Sequence, residues 1–211
     1  MRFHSRLEAG HWLGERMRTI GVEADLVLGL PRGGVVVAAE VARSLDCPLA
    51  TLVVRKIGHP HHRELAVGAI AEPDGVVHDE SSLLWHPPSS AELQAIEAEE
   101  ILRLRHYQQL FHPAGLPELT GKIVWLVDDG LATGATMEAA VHAARKREAL
   151  QVKVAVPVAS TNAAARIARL ADEVIALEVD AGFMAVGRYY QEFAQVNDGE
   201  VVALLKASAH H

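Results

Sequence analysis

Two adjacent carboxylates in the middle of the chain stand between a short apolar run and a loop of small residues. The segment reads Val127-Asp128-Asp129-Gly130-Leu131-Ala132-Thr133-Gly134-Ala135-Thr136. Small side chains let backbone N–H groups approach an anion closely, and the N-terminus of a following helix adds partial positive charge. The hydroxyls of Thr133 and Thr136 are further donors. The segment therefore predicts a phosphate-binding loop.

The carboxylates need a different partner, because Asp128 and Asp129 would repel a phosphate at the mouth of this loop. We interpret them as acceptors of hydrogen bonds from vicinal hydroxyls. A phosphate and a diol at that separation describe a ribose 5-phosphate. The segment lacks the Gly-Lys-Ser/Thr element of a P-loop and the Gly-x-Gly-x-x-Gly of a dinucleotide fingerprint. The structural alternative is a turn at 128–130 with Thr133 as an ordinary helix N-cap.

A second polar turn, Pro31-Arg32-Gly33-Gly34, directly follows an apolar run at 26–30. Arg32 offers a planar fork of donors that suits phosphate oxygens. The two glycines permit unusual backbone angles and a close approach of the backbone. Taken alone, the motif is equally typical of a turn that exposes an arginine. Beside the loop at 128–136 it indicates a second anion site.

Apolar runs alternate with helical patterns along the chain, and these elements must position the two motifs. Strands are predicted at 26–30, 49–55, 123–127, 153–159 and 173–179, with shorter pieces over 66–78. Helices are predicted at 5–20, 35–45, 89–109, 136–149 and 161–171. Strands that are apolar throughout and alternate with helices indicate a parallel sheet covered on both faces. Ligands of such sheets bind beyond the carboxyl ends of the strands, where both motifs fall.

Composition and charge exclude several classes of function. The 211 residues carry 20 Lys and Arg against 27 Asp and Glu, a net charge of −7, whereas nucleic-acid binding requires a basic surface. No apolar run reaches the length of about 18 residues that a membrane span needs. The N-terminus lacks the apolar segment of a secretory signal, and the single cysteine excludes an intramolecular disulfide. We therefore expect one cytoplasmic domain over 1–211, with no nucleic-acid or membrane partner.

On these motifs the chain resembles the type I phosphoribosyltransferases. The resemblance rests on the loop at 127–136, which is highly specific, and on the order of strands and helices over about 24–180. Residues 26–68 and 182–202 further resemble a bacterial subfamily of phosphoribosyltransferases whose substrate is open. The fold that this implies is α/β, a parallel sheet flanked by helices on both faces, with a small helical hood or flap.

The resemblance implies roles for both motifs. Asp128 and Asp129 would bind the ribose 2- and 3-hydroxyls, and residues 131–136 would hold the 5-phosphate. The turn at 30–34 would bind pyrophosphate, which the family often does through a strained or cis non-proline peptide. Mg²⁺ is the implied cofactor; it rides on pyrophosphate and ribose oxygens, with no direct protein ligand and contact to the two aspartates only through water.

Two cations and a loop are expected to complete the pyrophosphate site. Arg55 and Lys56 end the predicted strand at 49–55 on the same sheet edge, where with Arg32 they would stabilise the departing pyrophosphate. A solvated strand end is the alternative. A flexible loop at about 57–66 would close over the site and keep water from the oxocarbenium-like transition state.

The general acid or base is less sharply marked. Glu64 and the histidines at 59, 61 and 62 lie in the predicted loop and could serve, although a polar loop alone also explains them. In some branches of the family the loop carries an acidic residue where this chain has Ala132, as in the adenine-type branch. Because that position cannot supply a base here, Glu64 becomes the stronger candidate for the general acid or base.

The acceptor site is expected in a hood-like insertion at about 80–120 and in the C-terminal segment. Phe183, Tyr189 and Tyr190 could stack on a flat ring, or they could anchor that segment to the core. The whole pattern implies an enzyme of nucleotide metabolism that transfers the phosphoribosyl group of phosphoribosyl pyrophosphate to an unidentified acceptor, expected to be a nitrogen heterocycle.

Two other interpretations stay open. A regulator with the same fold would bind phosphoribosyl pyrophosphate or a nucleotide without turning it over, and phosphorolysis or hydrolysis of a phosphorylated ribose would use the same loop. In each case we expect a homo-oligomer, a dimer.

Overall fold

The computed structural model of the protein describes residues 2–59, 61, 66–73, 75–78 and 88–208. Its strands are β1 (Leu26–Gly29), β2 (Leu49–Thr51), β3 (Val54–Gly58), β4 (Ala66–Ala71), β5 (Gly75–His78), β6 (Ile123–Val127), β7 (Gln151–Ser160) and β8 (Glu173–Asp180). Its helices are α1 (Arg6–Thr19), α2 (Gly33–Leu45), α3 (Ser90–Phe111), α4 (Ala135–Lys146), α5 (Thr161–Ile167) and α6 (Asp198–Ser208), with a 3₁₀ turn at Val186–Tyr189. None of the helices in these ranges combines the length and the apolar character that crossing a bilayer requires.

The central sheet has five parallel strands in the spatial order β2-β1-β6-β7-β8. This confirms the predicted parallel sheet. Alternate residues of its inner strands pack on opposite faces: Leu126 lies in a cluster with Met137 of α4, whereas its neighbour Trp125 packs with Met17 of α1. All four side chains are buried. Because both faces of the sheet are covered, the inner strand β6 is apolar at every position rather than at every second one.

The run at 49–55, predicted as one strand, is divided between two sheets. In β2, Ala50 lies opposite Leu28 of the central sheet, whereas Val54 in β3 pairs with Ala71 in an antiparallel sheet of order β3-β4-β5. The prediction of a single strand is wrong, because a continuous apolar run records burial but not which neighbour a strand pairs with.

The ends of the predicted flexible loop at about 57–66 also need correction. Ile57 and Gly58 belong to β3, and Ala66 begins β4. Between these strands the structure describes His59 and His61 alone. The strand-like pieces predicted over 66–78 are confirmed as the antiparallel pair β4 and β5.

Helix α3 lies within the segment predicted as a hood. It begins at a capping box, in which Ser89 Oγ accepts a hydrogen bond from Glu92 N and the Glu92 carboxylate accepts one from Ser89 N. Its buried residues Leu104 and Phe111 pack in a cluster with Val201 of α6 and with residues of β3 and β4.

Helix α6 is not among the predicted elements. Its start nevertheless carries a sequence signal, since Asn197 Oδ1 accepts from Glu200 N and the Glu200 carboxylate accepts from Asn197 N. An Asn or Ser followed three residues later by Glu is a helix-start pattern, and here it precedes the run of apolar residues that α6 packs against α2 and α3.

Candidate functional site

The carboxyl ends of β1 and β6 lie side by side in the central sheet. Gly29 is opposite Val127 in the parallel register, and Leu30 N donates to Val127 O over 2.9 Å. From β1 the chain runs through α2 to β2 on one side, and from β6 it runs through α4 to β7 on the other. Open α/β sheets bind their ligands in the crevice at such a reversal. The two predicted motifs meet there; we call the space between them the crevice.

The two glycines of the first motif lie directly against the carboxylates of the second. A Cβ on Gly33 would stand 2.1 Å from Asp129 Oδ2, and a Cβ on Gly34 would stand 2.7 Å from Asp128 Oδ1. Both glycines are in the first turn of α2, so their value here is the missing side chain rather than an unusual backbone angle. The peptide bond between Pro31 and Arg32 is cis, as the family resemblance implies.

The predicted phosphate loop is tied to the end of β7. Leu131 N donates to Val158 O, and Ser160 Oγ donates to Ala132 O over 2.7 Å. Gly134 is the N-cap of α4, with φ at +80°, a left-handed conformation that glycine adopts without a steric cost. Thr133, the alternative N-cap in the sequence, precedes the cap; its Oγ1 accepts only a long 3.4 Å bond from Ala135 N.

Both helices that begin at the crevice lack a side-chain cap from the described part of the chain. This is so for α4, and also for α2, whose N-cap is Arg32. The first backbone N–H groups of a helix have no partner within the helix, and an anion satisfies them well. Arg32 itself is loosely held, with Nη1 3.7 Å from Asp198 Oδ1 and a third of its side chain exposed. Two helix N-termini without a side-chain cap, each able to accept an anion, therefore flank the carboxylates.

The carboxylates are held in different ways. Asp128 Oδ1 accepts from Asp129 N over 2.8 Å, while Asp129 Oδ2 accepts from Arg6 Nε over 2.7 Å. Burial raises the pKa of Asp128 well above its ordinary value, and the neighbouring Asp129 raises it further. Burial also raises the pKa of Asp129, although Arg6 opposes that shift.

Sequence reasoning missed Arg6, which α1 brings to the crevice. The buried residues of that helix recur at helical spacing, at Ala9, Gly10, Leu13 and Met17. Arg6 continues the same face, one turn before Ala9. An arginine at the end of an apolar helix face is therefore the signal that could have found it.

The structure moves Arg55 and Lys56 away from the predicted sheet edge, because they lie in β3 of the antiparallel sheet. Arg55 Nε donates to Glu100 Oε2 of α3 over 2.9 Å, and its guanidinium lies 5.7 Å from the ring centre of Tyr107. Lys56 lines a cavity of about 410 Å³ between β3 and α3, together with Glu99 and Arg103. Their placement on the central sheet is wrong; their role toward pyrophosphate stays a prediction.

Of the predicted acid–base candidates, Glu64 and the histidine at 62 lie outside the described residues. His59 is buried and lines the cavity between β3 and α3. His61 Nε2 lies 3.0 Å from Glu92 Oε1 at the start of α3. Both described histidines therefore face α3.

The C-terminal aromatics mainly anchor the chain. Tyr190 is buried and its hydroxyl donates to Asp129 O over 2.6 Å, and burial raises its pKa. Tyr189 stacks on Phe183 with ring centres 5.3 Å apart, and its hydroxyl donates to the Asp180 carboxylate. Burial and this carboxylate together raise the pKa of Tyr189 to about 12. Of the three predicted rings, Phe183 is the one left half-exposed.

Comparison with known proteins identifies the family of the chain. A family model described as a phosphoribosyl transferase domain matches residues 4–191. Two proteins of Mycobacterium tuberculosis strains, each named "Putative phosphoribosyl transferase", are 45% identical over 207 residues, or 96% of this chain. The chain spans about half the length of these relatives, 46%.

Solved structures share the fold. Protein TT1426 from Thermus thermophilus is 42% identical and superposes with a TM-score of 0.81, with 99% of both chains covered. A purine phosphoribosyltransferase from Pyrococcus horikoshii is 15% identical, with a TM-score of 0.51 and coverage of 93% of this chain and 97% of its own. That second likeness is one of fold alone.

Proposed function

Because the chain belongs to the phosphoribosyl transferase domain family, we propose that it transfers the 5-phosphoribosyl group of phosphoribosyl pyrophosphate to a nitrogen heterocycle and releases pyrophosphate. The observation that carries the proposal is the meeting of two helix N-termini and two adjacent carboxylates at the ends of β1 and β6. Phosphoribosyl pyrophosphate carries phosphates at two ends and a diol between them, which match the two helix N-termini and the two carboxylates.

Each part of the substrate has its own partner in the proposed complex. The 5-phosphate takes the backbone N–H groups of the loop at 131–136 and the first turn of α4. The ribose hydroxyls donate to Asp128 and Asp129. Pyrophosphate takes the start of α2 and the guanidinium of Arg32, which is free to leave its distant partner Asp198.

The reaction breaks the bond between ribose C1 and the pyrophosphate oxygen, and the electron pair leaves with pyrophosphate. The lone pair of the acceptor nitrogen forms the new bond to C1, and a proton on that nitrogen then passes to water. Catalysis comes from orientation and charge: Arg32 and the start of α2 stabilise the departing anion, while the loop and the carboxylates fix the sugar.

The carboxylate oxygens in the crevice suit the Mg²⁺ that the proposal includes. Mg²⁺ at phosphate substrates binds through one or two carboxylates and substrate oxygens and keeps several waters. Asp128 and Asp129 are such carboxylates, and we propose that they reach it through water. When bound, the ion supplies positive charge to the pyrophosphate.

The test is to incubate the full chain with phosphoribosyl pyrophosphate, Mg²⁺ and a panel of nitrogen heterocycles, and to follow pyrophosphate release. We expect release that depends on one class of acceptor. The variant Asp128→Asn/Asp129→Asn should neither bind the sugar nor release pyrophosphate. Asp46→Asn is the matched control, because it makes the same chemical change at the exposed far end of α2.

The same assay separates the enzyme from a regulator. Tight binding of phosphoribosyl pyrophosphate by the wild type, with no release for any acceptor, would favour a protein that only senses it. Unchanged binding by the double variant would contradict the site itself.

A further inference from the structure

Arg6 is the charged residue that α1 places against the ribose-facing carboxylates. Its Nε lies 2.7 Å from Asp129 Oδ2, and the two side chains are only 12% and 16% exposed. A charge pair this buried has few other partners to turn towards, because little of either side chain reaches solvent.

Two further contacts hold the guanidinium in place, and Gly33 lies close to it on the crevice side. Arg6 Nη1 donates to Ala194 O over 2.8 Å, and the guanidinium carbon lies 3.7 Å from the ring centre of Phe193. On the crevice side, a Cβ on Gly33 would stand 2.8 Å from Arg6 Nε. The arginine is thus fixed between the C-terminal segment and the first turn of α2.

The backbone of Asp129 is held by the same segment. Tyr190 donates its hydroxyl to Asp129 O over 2.6 Å, and its ring lies 5.1 Å from that of Phe193, centre to centre. Phe3 N in turn donates to Tyr189 O over 2.7 Å. Segments near both ends of the chain therefore converge on one residue of the crevice.

We propose that Arg6 is a positioning residue, which fixes the Asp129 carboxylate so that one oxygen remains directed to a ribose hydroxyl. Arg6 Nε engages Oδ2, and Oδ1 is left to accept from the sugar. The inference rests on the proposed function, since it assumes that a ribose lies against Asp128 and Asp129. In the proposed complex Arg6 acts through Asp129 and contacts neither the sugar nor the phosphates.

A purely structural ion pair would behave differently from a positioning residue. Loss of a structural pair lowers the free energy of unfolding and weakens every ligand of the crevice alike. Loss of a positioning residue weakens the ligand that Asp129 binds and spares the ligand bound at the start of α2. The effect should also disappear once the Asp129 carboxylate is removed.

The experiment measures the Kd of ribose 5-phosphate and of pyrophosphate separately by calorimetry, for the wild type, Arg6→Gln, Arg6→Lys, Asp129→Asn and the double variant Arg6→Gln/Asp129→Asn. We expect Arg6→Gln to weaken ribose 5-phosphate about tenfold, as loss of a charged hydrogen bond does, and to leave pyrophosphate unchanged. Arg6→Lys should recover part of the loss, and the double variant should bind no worse than Asp129→Asn. Arg18→Gln is the control on the exposed face of α1, where Arg18 pairs with Glu15.

The outcomes separate this inference from the proposed function. If the wild type binds neither ligand, the proposed function fails and the inference fails with it. If the wild type binds both and Arg6→Gln loses both alike, or keeps its affinity for ribose 5-phosphate, the inference alone is overturned. Additive losses in the double variant would overturn it too, because Arg6 would then act apart from Asp129.

Discussion

The crevice and the contact between β3 and α3 both carry arginines and carboxylates, but they hold them differently. Between β3 and α3, Glu100 accepts from Arg55 over 2.9 Å and from Arg103 over 2.6 Å. At the crevice, Arg32 stands 3.7 Å from its partner, and the described residues place no side-chain cap on α2 or α4.

This difference shows which polar groups the fold uses for itself. Buried polar groups in proteins are ordinarily satisfied from within the chain, as Glu100 is. We propose that the groups left without close partners in the crevice, where the sheet topology opens, are arranged for a molecule from outside. Asp129 stands between these cases, because Arg6 takes one of its oxygens.

The largest expected effect comes from giving the crevice a side chain that it excludes. Gly33→Ala places a Cβ 2.1 Å from Asp129 Oδ2, so the carboxylate or the turn must move. Displacements of about 1 Å at a site cost about a hundredfold, and we expect at least that loss in the affinity for ribose 5-phosphate. The control is Gly75→Ala in the antiparallel sheet, where the nearest atom would be 3.5 Å away. Equal affinities of the two variants for ribose 5-phosphate would contradict the assignment of ligand binding to the crevice alone.

The antiparallel side should respond in stability instead. Glu72 is fully buried; its Oε1 accepts from Val53 N over 3.0 Å and lies 3.0 Å from His112 Nε2. Glu72→Ala leaves buried donors without partners, so we expect the free energy of unfolding to fall by about 2 kcal/mol. Urea unfolding measures it, with the exposed Glu192→Ala as control. A loss of ribose 5-phosphate affinity at temperatures where the variant is folded would contradict this division of roles.

Replacing one arginine in each region compares them directly. Arg32→Ala should weaken pyrophosphate about tenfold and ribose 5-phosphate much less, since Arg32 lies at the start of α2. Arg55→Ala should weaken pyrophosphate less than Arg32→Ala does, because Arg55 is paired with Glu100. Titration calorimetry with each ligand measures both. Equal losses of pyrophosphate would return Arg55 to the site that the sequence predicts for it.

The smallest expected effect is a gain in stability from removing a crevice charge. Burial and Asp129 raise the pKa of Asp128 in the folded state. Folding therefore favours the protonated carboxyl, and the contribution of Asp128 to the free energy of unfolding falls as the pH rises through the folded-state pKa. Asp128→Asn should therefore raise the free energy of unfolding by about 1 kcal/mol at pH 7.

That gain should disappear towards about pH 3, below the ordinary pKa of an aspartate, where the wild-type carboxyl is mostly protonated in both states. Urea unfolding at both pH values measures it, with Asp46→Asn in the exposed turn after α2 as the matched control. An equal gain at both pH values would show that the charge is not its cause.

Much of the central sheet and both crevice motifs could be predicted from the sequence, because each depends on neighbours in the chain. The short apolar run before Asp128 favours a buried strand. Gly134 adopts the left-handed conformation at the start of α4 without a steric cost. The alternation of such runs with helices was enough to predict that 29–34 and 128–136 lie at one edge of the sheet, as they do.

The tertiary structure alone decided the partners of these segments. The apolar run at 49–55 records burial, yet only packing divides it between β2 and β3 and turns Arg55 towards α3. Arg6 reaches Asp129 across 123 positions of the chain, through the packing of α1 on the sheet. The physical reason is that local chemistry sets what a segment can form, whereas the choice among distant partners depends on shapes and charges that meet only in the folded chain.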